Sequence, residues 1–165
     1  MLSEESAVGK YPVEAVRTMA RIAEEAEKAF AREAWGQRLA RIRPSDASAA
    51  LARAACGLAE TIQAQALLIA TQSGTTARLA AQFRPARPIL AGTMDPEVFR
   101  MLALVRAVRP MMIPEVDLLS RLFAELHRAA KATGMVQSGD TVVCTAGFPP
   151  GKAGVSNLIK IETVP

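Results

Sequence analysis

After a polar opening, MLSEESAVGKY, apolar residues fall at Val13, Val16, Met19, Ala20, Ala23 and Ala26. Steps of three and four line one face of an α-helix, and Pro12 suits its first turn. The run continues through Phe30 and Trp35 to about Gly36. That is long for a globular helix, so a bend or a frayed end is expected within it. QRLARIRP (37–44) is a basic connector. Ser45 and Asp46 then offer an N-cap to a second helix, whose apolar face is Leu51, Ala55, Leu58 and Ile62.

Beyond Ile62 the pattern changes. Short apolar runs read as strands: ALLIA (66–70), PILA (88–91), PMMI (110–113), TVVCTA (141–146) and LIKIE (158–162). Helical segments alternate with the first four. One runs from about Gly74 to Gln82 and is broken by Arg84-Pro85. Another starts at Asp95-Pro96, with Asp95 as cap. A longer one spans Asp117 to Thr133, with Leu118, Leu122 and Leu126 on one side and Gly134 in the left-handed closing position. Strands alternating with helices predict an α/β fold of three layers. It is an open, mixed five-stranded sheet with helices on both faces, preceded by a long N-terminal helix. No helix fits between the last two strands, so they are expected to be antiparallel neighbours.

Composition changes this picture little. The chain has 165 residues, 50% hydrophobic and 22% charged, as in an ordinary globular domain. No run approaches the roughly 20 apolar residues of a membrane span. The acidic start lacks the apolar core of a secretory signal, so a cytoplasmic location is expected. A net charge of +4 could attract polyanions, but bases and acids are interleaved and aromatics are only 4%, poor material for stacking bases. No nucleic-acid or membrane partner is expected. Cys56 and Cys144 read as buried thiols, and no Cys/His cluster suggests a structural zinc. His127, beside Arg128, reads as a surface residue. Met101, Met111, Met112 and Met135 suit packing.

The candidate chemistry lies in two turns. Thr71, Gln72, Ser73, Gly74, Thr75 and Thr76 follow the first strand and open a helix. Ligands of open α/β sheets bind beyond the carboxyl ends of the strands, and a helix N-terminus favours an anion. Four hydroxyls and a glycine there would make a phosphate cradle. Simple capping, with the remaining hydroxyls facing solvent, explains the same residues. The turn is neither a Walker A loop nor a GxGxxG fingerprint. The second turn, Pro150, Gly151, Lys152, Ala153 and Gly154, follows another strand end. It could close over a ligand with Lys152 as its charge, or be a plain connection.

Three segments carry a resemblance. MLSEESAVGKYPVEAVRTMARIAEEAE, TQSGTTARLAAQFRPARPILA and SGDTVVCTAGFPPGKAGVSNLIKI resemble, in order and at ordinary spacing, pyruvate kinase motifs that end the catalytic barrel and build the C-terminal domain. The resemblance implies that residues 1–31 close the barrel and that residues 32–165 form the regulatory and tetramer-assembly domain. It implies that Thr71–Thr76 receives an effector phosphate and that Pro150–Gly154 closes over it. Gln72 stands where some fructose-bisphosphate-activated members carry lysine, and RPMMIPEVD lacks the tryptophan that some use for a second phosphate. A sugar or nucleotide monophosphate therefore fits better than a bisphosphate.

The family transfers phosphoryl from phosphoenolpyruvate to ADP, which requires metal and carboxylates to hold it. The resemblance places those groups, with Mg2+ and K+, in barrel segments upstream of these motifs. This chain is then a fragment with no catalytic residue, no metal and no cofactor of its own. Its first helix, lacking the barrel, is expected to leave Phe30 and Trp35 unusually exposed and to favour a homo-oligomer. Two readings stay open beside the regulatory domain. One is a passive oligomerisation module with a vestigial effector loop. The other is a free-standing enzyme on a small phosphorylated substrate, with Lys152 and Glu162 as weak acid–base candidates.

Overall fold

The computed structural model describes residues 1–30, 34–37, 41, 43–147 and 156–165. These divide into two units, Met1–Arg41 and Ile42–Pro165. The expected boundary at residue 31 and the turn Pro150–Gly154 lie outside the described residues.

In the first unit, α1 (Glu4–Ala7) is a single turn and α2 spans Pro12–Lys28, with Pro12 in its first turn as expected. The expected run to Gly36 is interrupted, as the expected bend allows: α2 ends at Lys28, and residues 34–37 are helical again. The reason is visible in two rings. Residues five apart sit about 140° around a helix and cannot touch, yet Phe30 and Trp35 approach to 6.1 Å between ring centroids. The chain leaves the helix after Lys28, which lets these rings cover one another. Both are half-buried rather than unusually exposed. No residue of α2 is buried.

The second unit is built on the expected five-stranded mixed sheet. Its strands are β1 (Ala66–Ala70), β2 (Ile89–Thr93), β3 (Val108–Met112), β4 (Thr141–Ala146) and β5 (Leu158–Thr163). Their order is β3-β2-β1-β4-β5. The first four are parallel, with Leu68 beside Leu90 and Cys144, and β5 is antiparallel to β4. Strand β3 starts earlier than the apolar run suggested and carries Pro110, which has no N–H to donate. An edge position tolerates this, and β3 is at the edge.

Among the described residues, four helices cover the two faces. Leu67, Ile69, Ile89, Ala91 and Val143 turn toward α3 (Ala47–Thr61), α4 (Thr75–Gln82) and α5 (Pro96–Leu102). The contacts from α3 and α4 are mostly alanines: Ala52, Ala55, Ala59, Ala77 and Ala80. Small side chains let these helices lie close to the sheet. Leu68, Leu90, Val142 and Cys144 face α6 (Leu119–Ala132), which packs with larger groups, Leu122, Phe123 and Leu126. Gly92 makes room for them, since a Cβ there would stand 2.5 Å from Leu126 Cδ2. Helix α6 starts two residues after Asp117, which does not cap it. Asp95 does cap α5, accepting from Glu97 and Val98 N–H, and Gly134 has the expected positive φ of 73°.

Both cysteines are buried free thiols, as read from the sequence. His127 corrects the sequence reading: it is buried, with 5% of its surface exposed. The apolar stripe of α6 is wide enough to carry position 127 inward, four residues after Phe123.

Candidate functional site

The strand order reverses around β1. The chain moves outward from β1 to β2 and β3, then returns through α6 to β4 on the other side of β1. Helix α4 leaves β1 toward one face, while α6 occupies the other. The carboxyl ends of β1 and β4 are therefore where covering elements part and leave a crevice. A cavity of about 370 Å³ opens there.

Its walls contain Thr71, Gln72, Ser73, Thr75 and Thr76 from the hydroxyl-rich turn. Gly74 does not line it but shapes it. It is the N-cap of α4 with φ 75° and ψ −2°, left-handed backbone that a side chain resists. A Cβ there would also meet Met101 Cε at 2.8 Å. Thr71 Oγ1 accepts the Gly74 N–H at 3.0 Å, which closes the turn. The N–H groups of Thr75, Thr76 and Ala77, in the first turn of α4, have no acceptor within their own helix.

The hydroxyls divide into two sets. Ser73 and Thr75 are exposed and hydrogen-bond each other at 3.0 Å. Thr76 is buried and bonds Ser156 Oγ at 2.6 Å, which ties α4 to the chain entering β5. Arg78, one turn into α4, reaches back to Thr75 Oγ1 at 3.5 Å.

The rest of the lining was not read from the sequence as site. Asp46, Ala47 and Ser48 bring a second helix N-terminus, that of α3, into the cavity. The signal was present: only four residues join α3 to β1, so the helix runs back along the strand and starts at its carboxyl end. Asp46 Oδ1 accepts the Ala49 N–H at 2.9 Å. That bond, and secondarily the Ser45 hydroxyl, holds the carboxyl below its ordinary value and keeps it anionic. Gly92, Thr93 and Met94 come from the end of β2, and Gly147 from the end of β4.

Other sequence candidates fall elsewhere. Glu162 pairs with Val142 at the start of β4, the opposite end of the sheet from the cavity, so it is no acid–base partner for the turn. Cys56 lies under α3 against the Ala80 carbonyl, and burial pushes its thiol up to about 12. It is inert at neutral pH. Lys152 is outside the described residues.

The sequence profile of "Pyruvate kinase, alpha/beta domain" matches residues 49–162. The chain belongs to that family. Over 99% of its length it is 40% identical to "Pyruvate kinase 2" of Synechocystis sp., of which it covers 27%. It is 36% identical to "Pyruvate kinase" of Clostridium acetobutylicum and 37% identical to that of Geobacillus stearothermophilus, covering 35% and 28% of them. The chain thus spans about a third or less of the length of these relatives. Their similarity extends through the first unit as well as the sheet. In this pyruvate kinase domain the cavity is lined by the ends of β1, β2 and β4, the starts of α3 and α4, and Ile113, Val116 and Leu122. Among the described residues, no helix is long and apolar enough to cross a membrane.

Proposed function

We propose that this chain is the effector-binding and subunit-assembly part of a cytoplasmic pyruvate kinase, and that it holds the phosphate of a small effector in the turn Thr71–Thr76. One observation carries the reading. The cavity receives the first turns of two helices, α3 and α4, together with exposed hydroxyls from Ser73 and Thr75. Free N–H groups and aligned peptide dipoles at the start of α4 attract an anion; at α3 the Asp46 carboxylate already takes the Ala49 N–H.

The charge balance favours a monophosphate. Among the described lining residues the charged one is Asp46, an acid. A second phosphate would find no described cation in the wall and a carboxylate at the rim. A sugar or nucleotide monophosphate leaves its uncharged part to lie against Met94, Ile113, Val116 and Leu122. Lys152 and its turn would cover the ligand from the β4–β5 side.

Residues 1–31 would close the catalytic barrel, and transfer of phosphoryl from phosphoenolpyruvate to ADP would belong to the barrel. By itself the chain would then be inactive and would associate through the apolar face of α2. That face shows Val13, Val16, Met19 and Ile22, all at least 43% exposed.

Calorimetric titration with ribose 5-phosphate, glucose 6-phosphate, AMP and fructose 1,6-bisphosphate tests the proposal. The expected result is saturable binding of a monophosphate that Ser73→Ala weakens about tenfold or more, the worth of a hydrogen bond to a charged group. Absence of binding to all four by the folded chain would leave a passive assembly module. Turnover in a coupled pyruvate kinase assay would overturn the inactive reading.

A further inference from the structure

On the α6 face of the sheet, outside the cavity lining, side chains meet that the cavity does not use. Cys144 on β4 stands opposite Lys160 on β5, and Glu162 lies two residues further along β5. Side chains two apart on a strand share a face, so Cys144, Lys160 and Glu162 all turn toward α6. Helix α6 brings Phe123 and, one turn later, His127 onto this face. Lys160 Nζ sits 5.2 Å from the centre of the Phe123 ring and pairs with Glu162 Oε1. This contact fixes the carboxylate and leaves its second oxygen pointing inward.

That second oxygen is the anomaly. Glu162 Oε2 is buried and has no hydrogen-bond partner. It lies 3.3 Å from His127 Nε2, and Cys144 Sγ lies 3.9 Å from the same nitrogen. The three ligand atoms all lie within 4.8 Å of one another. A buried carboxylate oxygen whose imidazole neighbour lies outside good hydrogen-bond geometry is costly.

We propose that His127, Cys144 and Glu162 form a transition-metal site that takes Zn2+. The three ligand atoms converge to a spacing from which a modest side-chain adjustment reaches what the ion requires. Zinc bonds of about 2.0–2.3 Å in a tetrahedron set ligand atoms roughly 3.3–3.8 Å apart. The nitrogen–oxygen edge, 3.3 Å, has the length expected for that pair. The nitrogen–sulfur edge, 3.9 Å, is about 0.3–0.4 Å longer than a tetrahedron sets for it, and the sulfur–oxygen edge lies within 4.8 Å, so the side chains must draw together on the ion. One imidazole, one thiolate and one carboxylate suit zinc better than Mg2+ or Ca2+, which take oxygen ligands. Two anionic ligands and a neutral imidazole balance the charge of the ion, so the site becomes neutral where it is buried. Lys160 plays the outer role of holding a ligating carboxylate in line. Three protein ligands leave a fourth position for water.

A Cys–His–acid relay for nucleophilic chemistry does not fit. In such a relay the acid holds the ring nitrogen that the nucleophile does not use. Here the sulfur and the carboxylate both face Nε2, and Cys144 is fully buried. Converging on one point is what ligands do.

The test uses the untagged, reduced, chelator-treated full chain. Zn2+ is titrated by calorimetry and Co2+ by visible absorption. The expected result is one ion per chain, with a thiolate-to-cobalt charge-transfer band. That band persists in Cys56→Ala and disappears in Cys144→Ala, while His127→Gln and Glu162→Gln each weaken Zn2+ binding at least about tenfold. Because Cys144→Ala leaves a hole in the core, X-ray absorption at the zinc edge of the unmodified chain supplies a second reading. One sulfur with nitrogen and oxygen neighbours supports the site. No stoichiometric binding at micromolar Zn2+, a zinc shell without sulfur, or a cobalt band that survives Cys144→Ala overturns it.

Discussion

Helix α6 turns Leu122, Phe123, Leu126, Ala129 and Ala130 onto the sheet and buries them all, whereas α2 carries a comparable stripe and buries none of it. Both stripes follow the three-four spacing of an amphipathic helix. The difference lies in what stands opposite. Strands β1, β2 and β4 present Leu68, Leu90 and Val142 to α6, so its apolar side chains leave water. Met19 and Ile22 of α2 remain 43% and 63% exposed. A periodic pattern states that a helix wants a surface; it does not supply one. Isolated helices of this length are marginal in water, and the exposed Lys28–Glu25 pair at 2.6 Å adds little.

The largest effect expected from this contrast is in a pair of equivalent deletions. Leu126→Ala removes a fully buried side chain and should cost about 2–5 kcal/mol in urea unfolding. Ile22→Ala removes a similar side chain from an exposed position and should stay within about 0.5 kcal/mol. Equal costs would break the comparison and show that the face of α2 is covered in solution. The same pair followed at rising protein concentration sharpens it, since an association through α2 would make only the Ile22→Ala deficit grow.

Two glycines extend the contrast from side chains to backbone. Gly74 has φ 75°, and an added Cβ would meet Met101 and Leu102 side chains at 2.8 and 3.1 Å. Gly74→Ala should cost about 1–3 kcal/mol and weaken phosphate-ligand binding, because the turn would reshape. Gly57, within α3, has nothing within 4 Å of its Cβ position. Gly57→Ala should stabilise by about 0.4–1 kcal/mol by restricting the unfolded chain. Matching thermal shifts of the same sign in both variants would refute the reading of Gly74 as a shaped position.

Much of the fold was legible because its signals are local. ALLIA and TVVCTA are short apolar runs bounded by turn residues, and their spacing by helices sets parallel neighbours; both strands match those bounds. What failed depends on distance in sequence. His127 looks polar and solvent-facing beside Arg128, and only the β4–β5 register brings Glu162 to it. Asp46 was readable as a cap, but not as a wall of the cavity, until the short α3–β1 connection is followed in space. The hydroxyl-rich turn was legible because its residues are consecutive; Asp46, Thr93 and Ser156 reach the cavity from three separate places along the chain.

The smallest expected effect compares two helix starts. Asp46 caps α3 through the Ala49 N–H, while Tyr11, in the same position on α2, offers no side-chain bond. The Ala49 N–H, then the Ser45 hydroxyl, lower the folded-state pKa of Asp46 below its ordinary 3.8. The unfolded chain therefore takes up this proton first as pH falls. The stabilisation is fully present above pH 3.8, declines as pH drops from there through the folded value, and is gone below it. In chemical unfolding, the wild type should exceed Asp46→Ala by a constant margin at neutral pH, and the margin should close in acid. Tyr11→Ala should show no such acid-dependent margin. A margin for Asp46→Ala that is unchanged in acid would mean that the carboxylate does not act as the cap. The charge at the cavity rim would then have to be held by some other contact.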